Sequence, residues 1–137
     1  MNNSGRFTPL FGRILLGTVF FVSGIFKIAG WSTMVGYAAA KGLPLPAVSM
    51  AVATCVELVG ALMLWLGYRT RIAAWALFLY LIPTTLLFHN FWAVRGMEQQ
   101  MQMVNFLKNL AIMGGLLIVA NAGPGPIALS HPATQSR

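Results

Sequence analysis

Cysteine is almost missing from this 137-residue sequence: Cys55 stands alone. One chain therefore builds no internal disulfide, no CxxC pair and no thiolate cluster for zinc or iron–sulfur, which excludes a disulfide-forming chemistry of its own. Cys55 reads as a small packing residue within a helix. Charge is equally scarce, at 8% of residues against 58% apolar, a balance that a water-soluble domain of this size cannot keep on its surface. Histidine occurs twice, as His89 and His131, too far apart in the chain for a metal-site spacing. One chain has no paired histidines for a bis-histidine haem either. No intrinsic cofactor and no metal site are expected. Linker-like Pro/Gly/Ser stretches, charge blocks and internal repeats are absent as well, so residues 1–137 read as a single domain.

The formal charge of +7 does not make this a nucleic-acid binder. The basic residues Arg6, Arg13, Lys27, Lys41, Arg69, Arg71, Arg95, Lys108 and Arg137 stand singly between apolar runs and form no basic stripe. Cations near the ends of hydrophobic segments are what orientation in a bilayer and contact with anionic headgroups produce. The expected fold class is an all-α membrane protein, a four-helix transmembrane bundle, in a bacterial-type inner (plasma) membrane. Its partners are then lipids and membrane or redox proteins, or further copies of itself.

Four apolar stretches, about 9–29, 47–67, 72–88 and 103–121, each approach the ~20 residues of a spanning helix. Pro83 removes one backbone donor inside the third and predicts a kink before His89. The first stretch is not read as a cleaved leader, because the small residues Ala38, Ala39 and Ala40 lie far beyond its end and three further apolar runs follow. The connections around 31–46 and 89–102 are long, and 67–71 is a tight turn. Arg6, Arg69, Arg71 and Arg137 fall on one face against Lys41 and Arg95 on the other, so the positive-inside bias places both termini in the cytoplasm. The segment 122–137 reads as a tail, ended from the last helix by Gly123, Pro124, Gly125 and Pro126 and disordered beyond.

Glu57 is the acid that falls within an apolar stretch, near the bilayer midplane. Burying it alone as a carboxylate costs about 2.5–3.5 kcal/mol on insertion scales, so it must be paired, protonated or wetted. Arg13, Gly17, Phe20, Gly24 and Lys27 alternate in four- and three-residue steps along one face of the first helix, with small residues that permit close contact. Met50, Ala53, Glu57, Gly60 and Leu64 form a similar stripe on the second helix. On the fourth, Asn105, Lys108, Ile112 and Gly115 share a stripe with Asn109 beside it. Together these place Lys27, Glu57, His89, Asn105, Lys108 and Asn109 in one polar cluster in the outer half of the membrane. Two cations there favour the ionised carboxylate, and His89 is a candidate proton donor or acceptor.

Two readings of the cluster stand. In one, it is an ion-pair network that fixes helix register. In the other, it faces a cavity open to the outer leaflet and holds a quinone carbonyl or a small anion. The aromatics Trp31, Trp65, Trp75, Trp92, Tyr37, Tyr68 and Tyr80 read as interfacial belts, while Phe88, Phe91 and Trp92 around His89 offer walls for a quinone.

These residues form patterns that resemble a known family. Arg13-Ile-Leu-Leu-Gly17, Phe20-Phe21-Val-Ser23-Gly24-Ile-Phe-Lys27, Glu57 followed by Gly60, the run from Leu87 to Trp92 and the run from Asn105 to Gly115 are together similar in order and spacing to the DoxX family, over nearly the whole chain. The resemblance implies a four-helix inner-membrane protein, in a family named from small subunits associated with quinone-linked sulfur oxidation in archaea, other members being placed in assemblies handling redox or thiol stress. It also implies that the family's polar positions fall on Lys27, Glu57, His89, Lys108 and Asn109. Shared pattern does not carry shared reaction. Three functions follow in order: an accessory or anchoring subunit of a quinone-linked redox or thiol/sulfur-oxidation system, with a bound quinone; a small carrier using a midplane Glu–Lys pair, or a purely structural component; and an enzyme acting alone. The last comes after the others because no nucleophile with an adjacent base and no metal or flavin site is present.

Overall fold

The computed structural model describes residues 3–130. Five α-helices follow one another: α1 (Asn3–Ala29), α2 (Trp31–Ala40), α3 (Pro46–Leu66), α4 (Thr70–Phe88) and α5 (Gly96–Ala122), with a short 3-10 turn at Phe91–Ala93 between the last two. Four of them, α1, α3, α4 and α5, are long and apolar enough to cross a membrane. No strand occurs among the described residues. The four-helix membrane bundle expected from the sequence is therefore the fold.

Several boundaries differ from the sequence reading, for identifiable reasons. Helix α1 begins at Asn3 and α5 at Gly96, before the apolar runs that mark them. Hydropathy reports where a helix enters hydrocarbon, whereas the helix itself continues as long as no residue breaks it. Gln99, Gln100 and Gln102 are good helix formers, and Glu98 in the first turn of α5 complements the positive end of the helix dipole. The first connection, expected as a loop, contains the ten-residue helix α2. It ends on an Ala-rich turn at Lys41, and Gly42 takes the left-handed conformation at φ 77° that releases the chain. Pro46 opens α3 in the first turn, where its missing N–H costs nothing. Helix α4 runs through Pro83 to Phe88.

Neighbouring helices pack around a ring in the order α1, α3, α4, α5, with the α1–α3 contact the most extensive and α1–α5 the slightest. No close backbone approach joins α1 to α4 or α3 to α5. The core gathers Phe20, Ala61, Leu64, Leu77, Leu81 and Leu116. Gly60 makes the α3–α4 approach possible: a Cβ there would lie 2.8 Å from Leu77 Cγ. Gly17 does the same for α1 against Trp65, whose indole Nε1 donates to Ile14 O at 3.0 Å. Cys55 is exposed on the outer surface of α3 and does not pack within the chain, contrary to expectation.

The segment expected as a disordered tail is folded as far as Ser130. Gly123 (φ 82°) and Gly125 (φ 76°), alternating with Pro124 and Pro126, turn the chain back across the end of the bundle. Leu129 N–H then donates to Leu66 O at 3.0 Å, Ser130 Oγ donates to Gly67 O at 2.9 Å, and Arg69 N–H donates to Ser130 Oγ at 3.0 Å. Beneath this strap Arg13 is 1% exposed. Its Nη1 donates to Leu64 O at 2.9 Å and its Nη2 to Ile127 O, so one guanidinium serves both the end of α3 and the strap. His131 and Arg137 lie outside the described residues.

Two outcomes follow. Arg13→Leu leaves a strap carbonyl without its donor, a loss of about 1–3 kcal/mol. In hydrogen exchange of the detergent-solubilised protein, the Leu129 and Ser130 amides should exchange roughly ten- to hundredfold faster while the spans stay protected; unchanged strap protection would refute the role of Arg13. Gly60→Val forces α3 from α4 and should cost about 1–3 kcal/mol, read as a lowered Tm, whereas the same change at Gly114, where no atom stands within 4 Å, should not.

Candidate functional site

Glu57 lies halfway along α3 and is only 3% exposed. Its carboxylate is met from two other helices. Lys27 Nζ of α1 stands 2.9 Å from both Oε1 and Oε2. Ser23, one turn before Lys27, donates its hydroxyl to Oε1 at 3.0 Å and accepts from Lys27 Nζ at 2.8 Å. The Tyr80 hydroxyl of α4 donates to Oε1 at 2.8 Å. The geometry explains why this acid tolerates the bilayer: one cation and two hydroxyl donors replace the water it loses, and the ammonium spends its donors on Ser23 and the carboxylate. Gly24 allows the approach, since a Cβ there would lie 2.7 Å from Leu58 Cδ2.

Above this cluster opens a cavity of about 650 Å³, inside the ~300–1,000 Å³ range of small-molecule sites. Glu57, Lys27, Ser23 and Tyr80 contribute to its polar floor, and most of its remaining wall is apolar. Side chains that line it, such as Val48 and Val52 (each 58% exposed) and Leu45 (73%), also face outward, so its mouth meets the hydrocarbon surroundings of the bundle. Helix α2 and the 43–45 turn cover the end of the cavity away from Glu57. Two contacts tie this cover down: Tyr37 against Phe88, ring centroids 5.5 Å apart, and Lys41 Nζ donating to Asn90 Oδ1 at 3.0 Å.

Of the residues expected in the cluster, Lys27 and Glu57 are brought together. His89 and Asn109 line the same cavity without touching the carboxylate. His89 Nδ1 pairs with Gln102 Oε1 at 2.9 Å, and Asn109 Nδ2 donates to Thr85 Oγ1 at 3.0 Å. Asn105 is half-buried and does not line the cavity, and Lys108 is exposed on the outer face of α5. The expected second cation beside Glu57 is thus not there. The inward stripe of α5 is Asn109, Ile112, Leu116 and Ala120, and Lys108, one residue away, points about 100° around the helix. Phe88 lines the cavity, but Phe91 and Trp92 do not; both pack against Phe106 at ring-centroid distances of 5.4 and 6.1 Å.

Sequence reasoning missed Ser23 and Tyr80 as members of the site. Ser23 precedes Lys27 by four residues, which puts both on one helix face and was a usable signal. Tyr80 was assigned to the interfacial belt, yet its place in the middle of an apolar stretch already set it apart from one. Among the described residues, no three His, Cys, Asp or Glu side chains could jointly hold a metal ion.

Comparison with known proteins agrees with this architecture. The DoxX family model matches residues 8–90, which contain most of α1, all of α2 to α4 and the whole Ser23–Lys27–Glu57–Tyr80 cluster. The chain is 33% identical over 122 residues to inner membrane protein YphA of Escherichia coli strain K12, covering 89% of this chain and 87% of that one. It is 34% identical over 125 residues to inner membrane protein YqjF of the same organism, covering 89% and 88%. A shorter match, 31% over 76 residues, joins 56% of this chain to 24% of the ER-derived vesicles protein ERV29 of Saccharomyces cerevisiae. No solved structure is significantly similar. The chain belongs to the DoxX family and is a multi-pass protein of the inner-membrane type.

Proposed function

We propose that this protein is an accessory membrane subunit of a quinone-linked redox system, holding a quinone in the cavity with one carbonyl at the Lys27–Tyr80 end. The observation that carries the reading is the pairing of an apolar cavity, open to hydrocarbon, with a floor of proton donors around a buried carboxylate. A quinone has this polarity: an apolar tail and ring with oxygens that accept hydrogen bonds. Glu57 Oε1 accepts from three donors, so Lys27 or Tyr80 can turn one bond to a quinone oxygen while the carboxylate stays satisfied. Two-electron reduction of a quinone takes up two protons, and donors at one oxygen favour the reduced form. The electrons come from a partner, since one cysteine and two histidines supply no ligand set for a haem or iron–sulfur centre in this chain.

Two measurements test this reading. In the first, stability is separated from binding by a double-variant cycle. Lys27→Met leaves Glu57 buried without its cation and should destabilise the detergent-solubilised protein by about 3–5 kcal/mol, whereas Lys27→Met with Glu57→Leu should recover most of that loss. Recovery of stability together with loss of ligand means that the pair serves the cavity as well as the fold.

In the second, the purified wild-type chain in lipid nanodiscs is titrated with a short-chain ubiquinone analogue, followed by quenching of tryptophan fluorescence. Saturable binding is expected, weakened about tenfold by Tyr80→Phe, because one hydrogen bond to a desolvated carbonyl is worth about 1–1.5 kcal/mol. No saturable binding by the wild type would overturn the proposal. Glu57-dependent uptake of a hydrophobic anion into proteoliposomes would instead favour a carrier.

A further inference from the structure

Lys108 is an intramembrane cation that neither the site nor the strap uses. It lies about 18 Å from the start of α5 and about 21 Å from its end, on an exposed face. Gly115 packs on Leu16 of α1, which fixes the height of the two helices: Lys108, seven residues outward on α5, stands at about the depth of Ser23 and Glu57. No hydrogen bond or ion pair engages it among the described residues. Of the chain's two acids, Glu57 is enclosed with Lys27 in the interior, and Glu98 sits ten residues earlier on α5, about 15 Å away along the axis. The polar turn at Gln99, Gln100 and Gln102 is also about 9 Å or more from Lys108 along α5, so the ammonium does not reach water by a short tilt of its stem.

Ionisable side chains within spans face a bundle interior or a cavity, or find a partner, because hydrocarbon solvates them poorly. An exposed Lys108 therefore marks a surface that is interior only in a larger assembly. The same face carries Ala111 and Gly114, the latter with no atom within 4 Å of where a Cβ would stand, so a second helix can approach closely just below the charge. A second copy is a poor occupant. A two-fold axis along the membrane normal would bring Lys108 against Lys108, and no acid of this chain is exposed at that depth.

We propose that the Lys108–Ala111–Gly114 face of α5 docks a transmembrane helix of a different polypeptide, one that carries an aspartate or glutamate at the depth of Lys108. The contact is an intermolecular counterpart of the internal Lys27–Glu57 pair. It rests on the accessory-subunit part of the reading above and is independent of what the cavity binds.

The test is site-specific photo-crosslinking in membranes of the protein's own host. A benzophenone amino acid replaces Ala111, the membranes are irradiated, and the products are identified by mass spectrometry. The expected product is one polypeptide with an acidic residue in mid-span. Its yield should fall at least tenfold with Lys108→Gln, be retained with Lys108→Arg, and return when Lys108→Glu is combined with a lysine at the partner's acid. Products that are lipid only, a second copy of this chain, or a polypeptide without a mid-span acid would each overturn the proposal, as would a yield that ignores Lys108→Gln. Because Lys108 lies outside the cavity, Lys108→Gln should leave quinone-analogue binding unchanged, which also shows that the variant is folded. Loss of cross-linking with intact quinone binding therefore concerns this face, and absent quinone binding concerns the cavity.

Discussion

The half of this bundle that is remote from the start of α1 is arranged around the need to keep the Glu57 carboxylate satisfied in hydrocarbon. An isolated carboxylate at this depth is costly, and a single cation does not replace the shell of water it gives up. Four hydrogen-bond contacts do so here: two from Lys27, one from Ser23 and one from Tyr80. Those donors come from α1 and α4, which have no close backbone approach to each other. The carboxylate on α3 therefore ties together two helices that stand diagonally across the ring, and does so through side chains rather than through packed backbones. Because hydrogen bonds are directional and short, this junction sets the rotation of all three helices more sharply than apolar contacts would.

The cavity follows from the same arrangement. Helices α1 and α4 make no close backbone approach, and the space above Glu57 is bounded by apolar walls and by the cover that α2 forms. Below Glu57 the packing is closer. Gly60 lets α4 close onto α3, Leu64, Leu77 and Leu116 fill the centre, and the strap over Arg13 closes the end. A bundle built this way is open on one side of its midplane and solid on the other.

How much of this was legible in the sequence depended on which physical signal each element carries. The inward faces of α1 and α3 were readable because small residues and charges repeat there at helical spacing, and the Lys27–Glu57 pairing followed from the cost of a buried acid. On α5 the same reasoning chose the wrong stripe. Lys108 and Asn109 are adjacent, both polar, and only packing decides which of them turns inward. Helix α2 and the strap were invisible for a different reason: both are short segments whose order comes from contacts with the rest of the bundle, Tyr37 on Phe88 in one case and Arg13 on Ile127 in the other. Hydropathy cannot report a contact. Tyr80 illustrates a third limit, since an aromatic with a hydroxyl has the same composition signature at a headgroup and at a buried carboxylate.

The intramembrane cations give the most economical account of how the molecule is divided between folding and association. Arg13 pairs with no acid; its guanidinium donates to the carbonyls of Leu64, near the end of α3, and Ile127, in the strap. Lys27 is neutralised by Glu57 within the chain. Both are enclosed, and both secure elements of the same molecule to one another. Lys108 differs in direction rather than in kind: it has the same chemistry, at the depth of the Glu57 cluster, on the opposite side of the helix wall. A membrane penalises an exposed charge whatever chain it belongs to, and this fold satisfies two of its cations internally while the third stands exposed on α5.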